Sequence, residues 1–143
     1  MNENASLFFV DRHVDSHIKE KKAFIEYGSN QKFITYADLH EQSSKLRHFF
    51  SKFNINREDR VIILMQDVIS YPIIFWGCLK SGVIPVLLNT LLSSEVVNEI
   101  IKNSRAKAVF ISSRLLGSFE NSVKKNVSIK PVSYTHLTLP TRS

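Results

Sequence analysis

Phosphate handling needs a glycine-rich turn, so that backbone N–H groups can approach the oxygens. The chain has four glycines, Gly28, Gly77, Gly82 and Gly117. Gly77-Cys78-Leu79-Lys80-Ser81-Gly82 has the G-x-x-x-x-G spacing of a phosphate loop. Val83-Ile84 follow, however, where Lys and Ser/Thr would have to hold phosphate and magnesium. The run also falls inside a predicted helix, so it reads as helix packing followed by a glycine stop. His13 and His17, four apart on a predicted helix, would put two imidazoles on one face. A zinc-protease pattern requires Glu directly after the first His, and Val14 stands there. No third ligand lies at a telling spacing, so the pair reads as exposed helix histidines. Cys78 sits in the apolar run 73–79 with Lys80 as its sole neighbouring cation, the setting of an inert core thiol. Five histidines in the chain leave a Cys–His pair open at this stage. Asp59-Arg60 reads as an ion pair or a cap ahead of a strand. No paired carboxylates call for acid–base work. The residues therefore give no catalytic, cofactor-binding or metal-ligating assignment.

The elements that would position such residues follow from periodicity. Residues 4–18 read as an amphipathic helix, with Asn4 as N-cap and Leu7, Val10, Val14 and Ile18 at helical spacing. Two strand-like runs, 23–27 and 32–36, flank Gly28-Ser29-Asn30 and predict a hairpin. Thr35-Tyr36-Ala37-Asp38 fits a capping box. The helix it opens carries a stripe of Leu39, Leu46, Phe49, Phe50 and Phe53, and Asn54 is its stop.

From Arg60 the pattern alternates. Residues 61–65 are a strand buried on both faces. A helix over 68–81 has Asp67 as cap, Pro72 near its first turn and Gly82 as its end. Residues 83–88 make a second buried strand. Ser93 or Ser94 with Glu95 opens a helix turning Val96, Val97, Ile100 and Ile101 inward. A third strand at 106–112 and a last helix at 114–125 complete a β-α-β-α-β-α order, which predicts a parallel sheet with right-handed crossovers. The expected class is α/β, a partial parallel sheet with flanking helices, preceded by a helix and a β-hairpin.

Composition bounds the function. The 143 residues, 43% apolar, suffice for one ordinary domain and exclude a disordered chain. No run approaches the roughly 18–20 apolar residues of a membrane span; the greasiest stretch, 61–92, is broken by Gln66, Asp67, Lys80 and Asn89. Met1-Asn2-Glu3-Asn4 lacks the basic region of a signal peptide. One cysteine allows no intrachain disulfide, so the cytoplasm is the expected location. The net charge of +6 is unevenly placed: residues 1–123 hold 15 basic and 13 acidic groups, whereas 124–143 hold Lys124, Lys125, Lys130 and Arg142 without an acid. No basic stripe interleaved with aromatics is visible, and nucleic acid is not an expected partner.

Several segments, in order, resemble the N-terminal region of adenylate-forming enzymes, the superfamily of acyl-CoA ligases. They are Thr35-Tyr36-Ala37-Asp38-Leu39, Asp59-Arg60-Val61, Lys80-Ser81-Gly82-Val83-Ile84-Pro85-Val86-Leu87-Leu88-Asn89-Thr90 and Ser104-Arg105-Ala106-Lys107-Ala108-Val109. Asn4-Ala5-Ser6-Leu7, Val10-Asp11-Arg12-His13 and Asn89-Thr90-Leu91-Leu92 make the likeness closest to benzoate-CoA ligases and related aryl-CoA ligases. It covers about residues 4–116. Asn54 and Glu58 stand where the family often has glycine; Glu58 implies a turn that does not need positive φ.

The resemblance implies a two-step ligase. A carboxylic acid, of aromatic benzoate-like type, attacks the α-phosphate of ATP to give acyl-AMP, and the CoA thiol then displaces AMP. ATP, Mg2+ and CoA are implied for the intact family member. The family's triphosphate loop, acidic motif, ribose aspartate and mobile C-terminal lysine have no counterpart in the chain, so position-by-position transfer gives catalytic none, cofactor-binding none and metal none. The expectation is an inactive N-terminal fragment. Residues 1–58 form the leading helix, hairpin and capped helix, 59–130 an incomplete portion of the large AMP-binding domain, and 131–143 a non-native read-through tail. The alternatives are a self-sufficient flavodoxin-like binding domain, a non-catalytic partner docking by its greasy strands, or a fragment of a different adenylate-forming enzyme, such as a fatty-acyl-CoA ligase or a peptide-synthetase adenylation domain.

Overall fold

A computed structural model describes residues 4–28, 31–124 and 130–134. Strands β1 (Lys22–Ile25) and β2 (Phe33–Thr35) form the expected antiparallel hairpin, with Ile25 opposite Phe33. Thr35 ends β2 and opens α2 (Tyr36–Lys52). Its Oγ1 accepts from the Asp38 N–H at 3.1 Å while Asp38 Oδ2 accepts from the Thr35 N–H at 3.3 Å, completing the capping box. Leu39, Leu46 and Phe50 form the buried stripe of α2. Asn54, at φ 54°, takes the left-handed position beyond its end.

The rest is a parallel α/β unit: β3 (Arg60–Leu64), α3 (Ser70–Ser81), β4 (Ile84–Leu87), α4 (Ser94–Ser104), β5 (Ala108–Ser112), α5 (Ser113–Lys124) and β6 (Lys130–Tyr134). The strands lie in the order β4-β3-β5-β6, all parallel. The central strands β3 and β5 are apolar at nearly every position because alternate side chains feed two different cores. Val61, Ile63, Ala108 and Phe110 pack on Leu46, Phe50, Ile73, Ile74 and Cys78 of α2 and α3. Ile62, Leu64, Val109 and Ile111 pack on Val97, Ile101 and Phe119 of α4 and α5. Each of the Val, Leu, Ile and Phe side chains among them contributes roughly 1.5–3 kcal/mol on burial. Strand β6 enters the segment 131–143 read above as foreign; residues 135–143 lie outside the described residues.

The fold departs from the periodicity at five places. The first helix, α1 (Ala5–Phe9), ends at Val10, and Asp11–His13 form a 3₁₀ turn. Asn4 is its cap as expected, accepting from the Ser6 N–H. The helix stops because Asp11 is drawn down onto α2 and α3 by His40 and Lys80. Helix α3 begins at Ser70 and Asp67 does not cap it; Glu26 Oε2, from the hairpin, accepts the Ile69 N–H at 3.0 Å instead. Strand β4 is an edge strand, not a fully buried one, with Ile84 and Leu87 nearly half exposed. Val96 is exposed, and Val97 and Ile101 alone are fully inward on α4. Glu58 has φ 68°, so the turn before β3 does need positive φ. The Glu58 N–H donates to Gly82 O at 2.8 Å and Asp59 Oδ2 accepts the Asn56 N–H at 2.8 Å, which holds the strained residue in place.

Candidate functional site

In an open parallel sheet, ligands bind outside the carboxyl ends of the strands, where neighbouring connections leave in opposite directions. Here β3 lies between β4 and β5, so that switch falls at the ends of β3 and β5. A crevice of about 500 Å³ opens beside it, at the carboxyl ends of β3 and β4, lined by Met65, Gln66, Asp67, Tyr71, Leu88, Asn89 and Thr90 among others. The Gln66 N–H donates to Ser112 Oγ at 3.2 Å, tying the ends of β3 and β5 together. Asn89 Oδ1 accepts the Leu91 N–H at 2.9 Å, shaping the loop after β4. Partial burial pushes the Tyr71 phenol upward, and the nearby Asp67 carboxylate adds to that shift. This edge presents a carboxylate, amides and hydroxyls for hydrogen bonding.

A second polar cluster joins the N-terminal segment to the two helices beneath it. Lys80 Nζ, its side chain only 7% exposed, lies 2.5 Å from Asp11 Oδ1. The same carboxylate oxygen is 2.7 Å from His40 Nδ1. The Lys80 ammonium also lies 3.0 Å from His40 Nδ1 and donates to Ser44 Oγ at 3.2 Å and His40 O at 3.3 Å. Burial works to raise the Asp11 pKa, but the bonds and charges of Lys80 and His40 outweigh it and hold the carboxyl below its usual 3.8. Ser6 Oγ donates to Asp11 Oδ2 at 3.2 Å, and Asn4 Nδ2 to Leu79 O at 2.7 Å. Asp11, Ser6 and Asn4 thereby dock the N-terminal segment on α2 and α3, which makes the cluster a latch.

The residues singled out from sequence are dispersed. His13 sits in the 3₁₀ turn with its ring against Tyr36, centroids 4.6 Å apart, and the break at Val10 removes the shared helical face with His17. Cys78 is fully buried and its thiol is pushed up to about 12 by burial, which disfavours the thiolate. Gly77 and Gly82 do not form a loop. A Cβ on Gly77 would overlap Leu46 Cδ1, so Gly77 lets α3 approach α2 closely, and Gly82, at φ 70°, is the left-handed stop. Asp59 and Arg60 are not paired with each other: Asp59 closes its turn, and Arg60 Nε donates to Ser104 O at 2.8 Å. The latch was missed because Asp11, His40 and Lys80 stand 29 and 40 positions apart and no local pattern links them. Among the described residues no group of three or more His, Cys, Asp or Glu could hold a metal ion. Neither a glycine-rich turn nor a carboxylate set fits ATP and Mg2+, and no step of nucleotide chemistry is assigned to these residues.

These features define an open parallel α/β sheet of flavodoxin-like strand order with a crevice at its carboxyl edge. The family profile described as "AMP-binding enzyme" matches residues 10–141, and the chain belongs to that family. It is 32% identical over 119 residues to the 4-hydroxybenzoate–CoA/benzoate–CoA ligase of Rhodopseudomonas palustris, a match covering 83% of this chain and 22% of the relative. To a long-chain-fatty-acid–CoA ligase of Haemophilus influenzae it is 28% identical over 132 residues, covering 92% of this chain and 23% of the relative. Its fold is similar to that of a benzoate CoA ligase from Burkholderia xenovorans, with a TM-score of 0.82 at 22% identity, over 92% of this chain and 26% of that one. The chain thus spans about a quarter of the length of the relatives it matches. No helix among the described residues is long and apolar enough to cross a membrane.

Proposed function

We propose that this chain is the leading portion of an AMP-forming carboxylate–CoA ligase. The intact protein activates an aromatic, benzoate-like acid with ATP to acyl-AMP and passes the acyl group to CoA. The observation that carries the reading is the family match over residues 10–141, with the 32% identity to a hydroxybenzoate/benzoate–CoA ligase favouring an aromatic acid. Residues 1–58 and 59–130 supply scaffold on this reading, and the groups that handle ATP, Mg2+, CoA and acid lie elsewhere in the polypeptide. The relatedness to fatty-acid–CoA ligases makes a fatty acid the second candidate.

Two measurements test this. ATP–pyrophosphate exchange with benzoate by the isolated chain is expected to stay at background, and turnover would overturn the scaffold role. AMP release by the polypeptide extended through its coding sequence, with CoA and benzoate, 4-hydroxybenzoate or palmitate, is expected to favour the aromatic acids at least about tenfold in kcat/KM, a difference of roughly 1.4 kcal/mol. Preference for palmitate would replace the aromatic reading, and no acid-dependent AMP release would sink the ligase assignment.

A further inference from the structure

A polar recess of about 1080 Å³ lies at the amino ends of β3 and β4, the opposite end of those strands from the crevice. It is bounded by the chain before β3 at residues 55–57, by the end of α3 at residues 80–82, and by α2 and the N-terminal segment. Its cations outnumber its anions: Lys80, Arg47 and Arg57 line it against one carboxylate, Asp11. Lys80 and His40 already share Asp11 in the latch. Neither guanidinium has a carboxylate partner among the described residues.

Both arginines are held at one turn of backbone. Arg47 Nη2 donates to Lys80 O at 3.2 Å, which sets its guanidinium against the last turn of α3. The stem of Arg57 lies over Gly82, where a Cβ would stand 3.0 Å from Arg57 Cγ. Ser81 stands between those two contacts in the chain. Its Oγ is buried and has no hydrogen-bond partner among the described residues, although buried hydroxyls are ordinarily paired. Capping of the helix carbonyls accounts for one N–H of Arg47. It accounts for neither the Arg57 guanidinium nor the Ser81 hydroxyl.

The surplus donors define the ligand chemistry. A guanidinium presents a planar fork of N–H groups that fits two oxygens of an oxyanion. One fork fills a carboxylate, whereas a phosphate ester has a third strong acceptor oxygen and carries a charge of about −1.5 to −2 at neutral pH. Two unpaired guanidiniums match that charge, and the hydroxyl supplies a donor beyond the forks.

We propose that this recess binds the phosphate group of a small metabolite, with Arg47 and Arg57 gripping its oxygens and Ser81 Oγ donating to it. The site is separate from the crevice at the carboxyl edge and independent of which acid, if any, the intact protein activates.

The test uses the 143-residue chain at constant ionic strength set with chloride, so that screening is equal throughout. Calorimetry follows inorganic phosphate and glycerol 3-phosphate, with succinate as the carboxylate control. Saturable one-to-one binding at about 1 mM or tighter is expected for a phosphate, and the tighter of the two separates free ion from ester as the source. Arg47 and Arg57 are exposed, so their replacement leaves the core intact. Arg47→Gln and Arg57→Gln should each weaken binding about tenfold or more, as loss of a hydrogen bond to a charged group does. Lys102→Gln, on the far layer at α4, should leave it unchanged. Ser81→Ala should weaken binding about fivefold while the melting temperature without phosphate stays the same or rises, because the hydroxyl bonds to nothing in the fold. Absence of saturable binding, binding indifferent to both arginines, or equal binding of succinate would each overturn the proposal. So would a Ser81→Ala chain that melts lower and binds phosphate as the parent does, since the hydroxyl would then serve the fold.

Discussion

Replacing Asp11 with Asn would leave the Lys80 ammonium, 7% exposed, without the anion that justifies its burial. Breaking one half of a buried pair typically costs about 3–5 kcal/mol. Asp11 is 17% exposed and Lys80 keeps Ser44 Oγ and the His40 carbonyl, so the expectation is reduced to about 2–3 kcal/mol. Lys80→Met should cost less, about 1–2 kcal/mol, because His40 still faces the remaining carboxylate. The double variant should cost little more than Asp11→Asn alone, giving a coupling of about 1.5 kcal/mol. The readout is urea unfolding at low micromolar concentration followed by Trp76, the single tryptophan, whose neighbour Phe9 belongs to the latched segment. The sign with pH is fixed by the lowered Asp11 pKa. The contribution is fully present above the unfolded value near 3.8 and is lost as pH falls through the lower folded value. Wild type and Asp11→Asn should therefore differ at pH 6 and converge as pH falls well below 3.8. Additive single effects, with coupling under about 0.5 kcal/mol, or a difference that persists at the acid end, would refute the latch.

Three further outcomes follow from single positions. Gly77→Ala should destabilise by about 1–3 kcal/mol despite alanine's better helix propensity, since its methyl group would meet Leu46 and the Ser43 carbonyl; denaturant unfolding would register it, and a stabilised variant would contradict the close α2–α3 approach. Glu58→Gly should stabilise by about 0.5–1 kcal/mol, the left-handed penalty of roughly 1–2 kcal/mol being partly offset by glycine's chain entropy, visible as a higher melting temperature. Cys78, with its thiol pushed up to about 12, should resist iodoacetamide at pH 8 in the folded chain and react once urea unfolds it; labelling of the folded chain would place Cys78 on an accessible surface.

Features set by neighbours in sequence were legible from residue types alone. The Thr35/Asp38 box, the apolar strands later seen as β3 and β5, the Gly82 stop and the buried Cys78 each depend on a few adjacent residues. What escaped was set by distant partners. The stripe Leu7, Val10, Val14 and Ile18 predicts one long helix, yet a salt bridge from Asp11 to Lys80 outweighs the periodicity and ends it at Val10. Asp67 is a good local cap, yet Glu26 reaches the start of α3 from 43 positions away. Strand β4 is as apolar as its neighbours, and its edge position follows from strand order; Pro85 was the available clue. Glu58 looked harmless because its strain comes from the Gly82 carbonyl and the Asp59 side chain closing the turn around it.

The same distinction sorts the chemistry-bearing side chains among the described residues. A carboxylate that performs catalysis must be free to exchange protons or ligands, and most carboxylates that shape this fold are already bound. Asp11 holds the latch, Glu26 the start of α3, Asp38 the start of α2 and Asp59 the turn into β3. Asp67 differs. It lies exposed at the carboxyl edge, beside Tyr71, whose pKa burial raises and Asp67 raises further, and in the crevice with Asn89 and Thr90. A parallel sheet needs no charge at that edge for its own stability, since β3 and β5 are joined there by the Gln66–Ser112 bond and by apolar packing. Asp67→Asn should accordingly change the unfolding free energy by less than about 0.5 kcal/mol, the range of surface substitutions. A larger loss, read by the same urea titration, would mean that Asp67 too is structural and that the crevice is not a free binding edge.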